Sequence, residues 1–251
     1  MSGSLAIAGL GPGDPRFWTS EVAAALEHAT DVVGYIPYVA RVPDRPGLLK
    51  HASDNRVELE RARHAIELAI AGRQVVVVSS GDPGVFAMAS AVFEAVEAGP
   101  DAFRQLEINV LPGITAMLAA SARAGAILGH DFCAINLSDN LKPWHVIEKR
   151  LRLAIEADFA CAFYNPRSKA RPDGFGMALA LMRAACTPER LITFARAVAT
   201  PEEQITTVRL GDAVPEMADM RTVVLLGSSL TRQIDRPDRA PIVYTPRSVP
   251  E

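Results

Sequence analysis

The sequence predicts an α/β protein of two domains, the first with a mainly parallel sheet and the second with a mixed sheet. Strand-like and helix-like segments alternate along the first half of the chain. Four consecutive valines at 75–78 show no polar alternation, which is typical of a strand covered by helices on both faces. An acidic glycine turn, residues 79–86, follows this strand, and ligands of such sheets bind at the carboxyl ends of the strands.

The first domain is placed at residues 1–113 and ends at Pro112 and Gly113, directly after a strand. Its strands are predicted at residues 5–8, 31–35, 75–78 and 108–111. Its helices are predicted at residues 20–28, 57–71 and 88–96. In the turn after the valine strand, Gly81 lets the backbone approach a ligand, Asp82 is a hydrogen-bond acceptor and a candidate N-cap of the next helix, and Pro83 suits the first helical position.

The second domain, residues 114–251, is predicted to be more mixed, because several strands follow one another without helices between them. Its helices are predicted at residues 115–124, 144–157 and 174–185. Its strands are predicted at residues 132–137, 159–164, 191–197, 204–209 and 222–226. The tail from Arg236 is rich in proline and arginine, and we expect it to be extended or partly mobile.

Composition narrows the class of protein. With 251 residues, 49% of them hydrophobic, the chain can bury a substantial core. The 26 basic and 29 acidic side chains give a net charge of −3, so no global basic field argues for nucleic acid, whereas local basic clusters remain able to bind an anionic small molecule. Three widely separated cysteines show neither metal-ligand spacing nor a disulfide framework. We expect a soluble, unprocessed, cytoplasmic protein that holds no metal and does not enter a membrane.

A glycine-rich loop at residues 9–14 follows the first strand and superficially resembles a dinucleotide-binding loop. It lacks the later third glycine, Pro12 removes a backbone donor, and no lysine follows as in a phosphate-binding loop. Two interpretations stay open: the loop binds a ligand, or it is a tight turn in which Asp14 caps a helix.

Three further strand ends carry polar or glycine-rich loops, at residues 111–116, 136–144 and 163–171. Thr115 is either a helix cap or a hydroxyl donor to a ligand. The third loop contains Arg167, Lys169 and Arg171. Such a cluster is either a solvated loop or a clamp for carboxylates.

The order of four motifs, at residues 9–14, 81–83, 112–116 and 199–204, resembles the tetrapyrrole methylase family. The enzymes of this family depend on S-adenosylmethionine and act in cobalamin and siroheme biosynthesis, and the resemblance runs nearly end to end. Residues 79–89, 129–132, 137–144 and 164–169 are most similar to those members that methylate carbon 17 of precorrin-3B. These members also contract the macrocycle, which yields precorrin-4.

The resemblance implies two α/β domains with a cleft between them, usually in a homodimer, and S-adenosylmethionine folded into that cleft as methyl donor. Much of the contact with the cofactor is then made by backbone, which explains small residues at the turns. The positions that match the family's cofactor contacts are Pro12, Ser80, Gly81, Asp82, Val85, Thr115, Ala116, Leu137, Asn165 and Ala199.

The remaining assignments follow from the chemistry that the resemblance implies. Ring contraction needs a positioned acid or base, whereas methyl transfer mainly needs an in-line approach. The candidates for acid or base are Asp14, His130, Asp139 and Lys142, with a structural role for His130 left open. Because the substrate carries acetate and propionate groups, the expected carboxylate clamps are Arg167, Lys169 and Arg171, with Arg41 and Arg45 as candidates from the first domain.

Three alternatives are compatible with parts of the sequence. A relative that methylates another tetrapyrrole carbon would keep the cofactor motifs and differ in the loops at 138–144 and 165–171. A nucleotide-dependent oxidoreductase would need a phosphate-binding loop, which Pro12 and the glycine spacing argue against. A non-catalytic tetrapyrrole carrier would not need intact motifs for a methyl donor.

Overall fold

The computed structural model describes residues 3–54 and 57–249. The chain divides into two compact units, Met1–Thr115 (unit 1) and Ala116–Glu251 (unit 2), near the junction that the sequence predicts. Both units are α/β, as predicted.

Unit 1 is built on one parallel sheet of five strands in the order β3-β2-β4-β1-β5. The strands are β1 (Ser4–Gly9), β2 (Asp31–Tyr35), β3 (Leu49–Ser53), β4 (Gln74–Ser79) and β5 (Ile108–Leu111). The helices are α1 (Ser20–His28), α2 (Ile36–Val39), α3 (Glu58–Ile70), α4 (Met88–Ala98) and α5 (Asp101–Arg104). Since all five strands run in the same direction, the loops that leave their carboxyl ends meet at one edge of the sheet.

The valine strand is buried on both faces, which confirms the prediction from its missing polar alternation. Val75 and Val77 belong to a core cluster with residues of α3 and α4. Val76 and Val78 point to the opposite face and pack in a cluster that includes residues of α1 and α2. This two-sided burial fixes β4, and therefore the loop that follows it, near the middle of the sheet.

Unit 2 contains a five-stranded mixed sheet in the order β10-β9-β11-β8-β7 and a small sheet in the order β12-β13-β6. Only the β7 and β8 pair of the larger sheet is parallel, so the prediction of a mixed sheet is confirmed. The strands are β6 (Gly125–Ala126), β7 (Phe132–Asn136), β8 (Ala160–Tyr164), β9 (Leu191–Arg196), β10 (Gln204–Arg209), β11 (Thr222–Leu226), β12 (Arg232–Arg236) and β13 (Arg239–Tyr244). The helices are α6 (Ala116–Ala124), α7 (Trp144–Glu156) and α8 (Gly174–Ala185).

Several elements of the fold are not predicted from the sequence, among them β3 and the hairpin of β12 and β13. Strand β3 is a partly exposed edge strand of mostly polar residues, so it lacks the apolar pattern by which strands are recognised. Residues 239–244 are extended as predicted, but they pair with β12 in a hairpin whose Val243 is buried.

The three cysteines are free thiols, although Cys133 and Cys161 are neighbours across β7 and β8. In the ranges 3–54 and 57–249, no helix is long and apolar enough to cross a membrane.

Candidate active site

Three loops of unit 1 meet at the carboxyl edge of its sheet, because they follow the neighbouring strands β4, β1 and β5. We name them the β1 loop (residues 10–14), the β4 loop (residues 80–87) and the β5 loop (residues 112–115). The β1 and β4 loops are joined by two backbone hydrogen bonds. The N–H of Gly81 donates to the carbonyl of Gly11 at 2.9 Å, and the N–H of Gly11 donates to the carbonyl of Gly81 at 3.2 Å.

Glycine is required where these loops pack backbone against backbone. A Cβ atom on Gly9 would lie 2.5 Å from the carbonyl oxygen of Gly81. A Cβ atom on Gly113 would lie 2.2 Å from the same oxygen. Both distances are well inside van der Waals contact, and the obstructing atom is backbone, so the loops approach this closely only because these residues have no side chain.

Asp82 links the β4 loop to the β5 loop. Its Oδ2 accepts a hydrogen bond from the N–H of Gly113 at 3.1 Å, and its Oδ1 accepts one from the N–H of Gly84 at 2.8 Å. The expectation that Asp82 caps a helix with Pro83 in its first turn is wrong. Helix α4 begins only at Met88, because residues 83–87 form a turn. The Asp82 carboxylate accepts the N–H of Gly84 inside this turn.

The unit 1 residues that the resemblance assigns to the methyl donor all lie in these loops. Ser80 approaches the β1 loop, with its hydroxyl 3.5 Å from the carbonyl oxygen of Gly11. Thr115 is buried at the end of the β5 loop, and Ala116 is the first residue of α6. The set in unit 1 is Pro12, Ser80, Gly81, Asp82, Val85 and Thr115.

Asp14 caps a short 3₁₀ helix, Pro15–Phe17, as one of the two sequence interpretations proposed. Its carboxylate accepts hydrogen bonds from the backbone N–H of Arg16 at 2.8 Å and from the Arg16 guanidinium at 3.0 Å. Hydrogen bonding to the Arg16 side chain, followed by that to its backbone, holds the pKa of Asp14 below its ordinary value. Asp14 is therefore ionised and engaged, which makes it a poor proton donor.

The two candidate clamps in unit 1 are occupied by backbone carbonyl groups. The guanidinium of Arg41 donates to carbonyl oxygens of the β1 loop. That of Arg45 donates to the carbonyls of Leu26 and Ala29 at the end of α1. Neither arginine presents a free fork to a carboxylate, so the clamp interpretation loses its support for both.

In unit 2, the loops that follow β7 and β8 are held together by Asn136, the last residue of β7. Its Oδ1 accepts hydrogen bonds from the N–H of Ser138 at 2.9 Å and from Nδ2 of Asn165 at 3.2 Å. The N–H of Leu137 donates to the carbonyl of Tyr164 at 2.9 Å. The structure thus places Leu137 beside the turn that holds Asn165. Asn136 belongs to the polar loop that the sequence indicates, and its role in joining the two loops is visible only in the structure.

Left-handed backbone occurs in several of the loops that follow strands. Asn165, Ala197 and Ala199 have φ of 51°, 50° and 60°, a region that non-glycine residues adopt at a cost. The N–H of Ala199 donates to Oε2 of Glu203 at 2.6 Å, and this bond holds the turn after β9. Phe86 of the β4 loop also has a positive φ, 54°. Such strained conformations persist only where the surrounding structure holds them in place, and they cluster at active sites and ligand-binding turns.

The candidate substrate cations of unit 2 lie in different environments. Arg171 is only 13% exposed, with Nη1 3.3 Å from the carbonyl oxygen of Asn165 and Nε 4.0 Å from Oδ1 of Asp139. Arg167 lies 3.6 Å from Glu216 at a cavity of about 350 Å³, and its Nε donates to the carbonyl of Pro172. Lys169 is exposed. Arg167 and Lys169 are thus more accessible than Arg171.

The remaining acid or base candidates separate into two places. Asp139 and Lys142 lie in the loop that follows β7, near Leu137. Burial, with a smaller contribution from Arg150, lowers the pKa of Lys142. His130 precedes β7, so the length of that strand, roughly 16 Å for five residues, separates it from this loop. Its Nδ1 lies 3.7 Å from Oδ2 of Asp131. The structure does not bring His130 together with the other candidates.

Among the residues that the structure describes, no group of three or more His, Cys, Asp or Glu side chains is placed to hold a metal ion. In unit 1, glycine loops lie together at the carboxyl edge of a parallel sheet, and unit 2 has strained polar turns of its own. Loops at this edge are where parallel α/β sheets bind small ligands, which defines the class of α/β protein to which unit 1 belongs.

Comparison with known proteins identifies the family. The model of the tetrapyrrole (corrin/porphyrin) methylases matches residues 4–214. The chain is 51% identical to a precorrin-3B C(17)-methyltransferase of Sinorhizobium sp, over 98% of this chain and 97% of that protein. It is 39% identical to a probable cobalt-factor III C(17)-methyltransferase of Salmonella typhimurium, over 90% of this chain and 93% of that protein.

A solved structure agrees with these matches. The crystal structure of the methyltransferase CobJ is 64% identical and superposes with a TM-score of 0.94, over 98% of this chain and 100% of that chain. The chain therefore belongs to the tetrapyrrole methylase family, and it is a methyltransferase. This confirms the family resemblance that the order of the four motifs indicates.

Proposed function

We propose that this chain transfers a methyl group from S-adenosylmethionine to carbon 17 of precorrin-3B, with ring contraction to precorrin-4, in cobalamin biosynthesis. The observation that carries the proposal is the 51% identity to the Sinorhizobium enzyme over nearly the full length of both chains. The alternatives of an oxidoreductase and of a non-catalytic carrier receive no support from the family.

The methyl donor is proposed to contact the loops described above. Its bound form supplies an electrophilic methyl group, and the carbon that accepts it needs position more than acid or base help. In the described part of the chain, the N–H groups of Gly13 and Asp14 have no hydrogen-bond acceptor, so they are available to the carboxylate or hydroxyl groups of such a ligand. The proposed contacts are Pro12, Ser80, Gly81, Asp82, Val85 and Thr115 in unit 1, and Ala116, Leu137, Asn165 and Ala199 in unit 2.

The proposed substrate contacts are cations, because precorrin-3B carries several carboxylates. Arg167 and Lys169 are the accessible members of the set. Arg171, which is nearly buried against the carbonyl of Asn165, is proposed to support the loop on which they stand. An arginine binds a carboxylate with two parallel hydrogen bonds, so Arg167 should orient the macrocycle as well as attract it.

For ring contraction, Lys142 and Asp139 are the proposed acid and base candidates. Since burial lowers the pKa of Lys142, its ammonium group gives up a proton more readily than that of an exposed lysine does. Asp14 is held ionised by Arg16, and His130 lies at the other end of β7, so both are weaker candidates on geometric grounds.

The test is incubation of the purified chain with S-adenosylmethionine and precorrin-3B, followed by mass spectrometry and absorption spectroscopy. We expect a product in which one methyl replaces one hydrogen and whose spectrum is that of a contracted ring. Omission of S-adenosylmethionine is the control for uncatalysed change. A chain that binds the methyl donor but leaves precorrin-3B unchanged would contradict the proposed substrate.

A second candidate substrate is cobalt-factor III. The Salmonella relative is named for this activity, and it too matches over about nine tenths of both chains. The same assay with cobalt-factor III in place of precorrin-3B discriminates the two. We expect faster turnover of precorrin-3B, because the identity to the precorrin enzyme is higher, 51% against 39%.

We also propose a homodimer in the cytoplasm. The homodimer is the usual state that the family resemblance implies, and three free cysteines suit a reducing compartment. Light scattering after size-exclusion chromatography tests the first proposal, with a mass of twice 26.9 kDa expected. Cell fractionation with an antibody against the chain tests the second.

A further inference from the structure

One arginine of unit 1 gathers the carbonyl groups of the β1 loop. Arg41 follows α2, and its Nη1 donates to the carbonyl of Gly11 at 3.1 Å. Its Nη2 donates to the carbonyl of Gly13 at 2.8 Å and also to that of Leu10. A single side chain, distant in sequence, thus determines the direction of three carbonyl groups in one short loop.

Among the residues that the structure describes, no carboxylate forms an ion pair with Arg41. Its bonded partners in the described part of the chain are backbone carbonyls, and its Nε is buried without an acceptor. Burial lowers the pKa of Arg41. A partly buried cation without a carboxylate is unfavourable by itself, and carbonyl oxygens that converge without a cation repel one another. The loop conformation and the arginine therefore depend on each other.

The orientation of the carbonyl groups determines what the β1 loop can offer a ligand. The N–H of Gly11 is used by Gly81, and Pro12 has no N–H. In the range 10–14, this leaves the N–H groups of Gly13 and Asp14 without an acceptor among the described residues. The N–H of Asp14 belongs to the same peptide group as the carbonyl of Gly13, which Arg41 holds, and the N–H of Gly13 lies between the held carbonyls of Gly11 and Gly13. A loop released from Arg41 would therefore no longer present these two N–H groups in a fixed direction.

We infer that Arg41 is a positioning residue that holds the β1 loop in the conformation that binds the methyl donor. The inference rests on the proposed function, since it assumes that the β1 loop contacts S-adenosylmethionine. It assigns Arg41 no contact with the tetrapyrrole, in contrast to the carboxylate clamp that the sequence suggested.

The experiment compares Arg41→Gln and Arg41→Lys with Arg45→Gln. Arg45 is a matched control, because it also donates to backbone carbonyls, those of Leu26 and Ala29, but does not touch the β1 loop. Calorimetry with S-adenosylhomocysteine gives the affinity, and urea unfolding shows that each variant is folded. Steady-state kinetics with precorrin-3B separate KM for S-adenosylmethionine from kcat.

We expect Arg41→Gln to bind S-adenosylhomocysteine about tenfold more weakly, the order of effect of losing charged hydrogen bonds. Arg41→Lys should recover part of the affinity, because an ammonium keeps the charge but cannot span three carbonyls as a planar fork does. Arg45→Gln should bind as the parent does. The KM for S-adenosylmethionine should rise for Arg41→Gln while kcat at saturation stays near the parental value.

A folded Arg41→Gln protein with parental affinity would overturn the inference. If that variant fails to fold, parental affinity in Arg41→Lys would overturn it equally. Equal weakening in Arg41→Gln and Arg45→Gln would show general destabilisation and would also contradict it. If the unmodified chain does not bind S-adenosylhomocysteine, the proposed function itself fails, and the inference fails with it.

Discussion

The carboxylate of Asp82 accepts a hydrogen bond from the backbone N–H of Gly113 across 3.1 Å and thereby joins the loops that follow β4 and β5. These strands are not neighbours, because β1 lies between them in the sheet. The two loops can meet above the end of β1 only because Gly9 has no side chain, whose Cβ would lie 2.5 Å from the carbonyl of Gly81. This bond joins the β4 and β5 loops, and the backbone bonds between Gly11 and Gly81 join the β1 loop to the β4 loop.

Replacement of Asp82 by alanine removes this link, and we expect S-adenosylhomocysteine to bind about tenfold more weakly, as loss of a charge-assisted hydrogen bond predicts. Calorimetry measures the affinity. Asp101→Ala is the matched control, since Asp101 is an exposed aspartate at the start of α5 and is bonded to Arg104. Unchanged affinity in a folded Asp82→Ala protein would refute the role proposed for Asp82.

Replacement of Gly113 by alanine should destabilise the fold, because the new Cβ would lie 2.2 Å from the carbonyl oxygen of Gly81. Overpacking against backbone predicts a loss of about 3 kcal/mol in the free energy of unfolding. Urea unfolding followed by circular dichroism is the measurement. Gly176→Ala is the control. Gly176 lies in helix α8, and its new Cβ would lie 3.7 Å from Pro215, which is an ordinary van der Waals contact. A Gly113→Ala protein as stable as its parent would show that the loops can separate.

Replacement of Arg167 by alanine should raise the KM for precorrin-3B about tenfold, since one charged contact with a substrate carboxylate is lost. The affinity for S-adenosylhomocysteine should stay at the parental value. Steady-state kinetics and calorimetry on the same protein measure the two quantities. Arg152→Ala serves as the control, because Arg152 pairs with Glu148 on α7. The clamp proposal does not survive if KM for precorrin-3B is unchanged.

The environment of Asp31 predicts that the free energy of unfolding depends on pH. Its carboxylate, 1% exposed, contacts Arg73 at 2.6 Å, Thr30 at 2.7 Å and His51 at 2.8 Å, and His51 in turn contacts His64. Burial alone would raise the pKa of Asp31, but the hydrogen bonds from Arg73, Thr30 and His51 outweigh burial, so the pKa is lowered.

Because the folded pKa is below the unfolded one, Asp31 stabilises the fold above its ordinary pKa of about 3.9, and this contribution is lost as the pH falls through the lower folded value. Urea unfolding at pH 7 should show Asp31→Asn to be less stable by about 3 kcal/mol, because Arg73 loses its charged partner. The difference between parent and variant should shrink below pH 4. A difference that does not change with pH would contradict the ionised state assumed for Asp31.

Much of the fold follows from local sequence signals. The valine run predicts a strand buried on both faces, and Val75 to Val78 indeed alternate between two core clusters. Helices α1 and α8 begin and end where their patterns predict. Strand β3 escaped prediction, because an edge strand with Lys50 and His51 buries little and has no apolar pattern.

The sequence by itself determined the family, the alternation of strands and helices, and the places where ligand loops follow strands. These properties depend on local periodicity and on motifs in a fixed order, which need no knowledge of distant contacts. Only the tertiary structure decided what each polar side chain does. Asp82 bonds to Gly113 instead of capping a helix, and Arg41 holds the β1 loop instead of facing a carboxylate. The physical reason is that a hydrogen bond between residues 28 to 31 positions apart in sequence exists only once the parallel sheet has brought its strand ends to one edge.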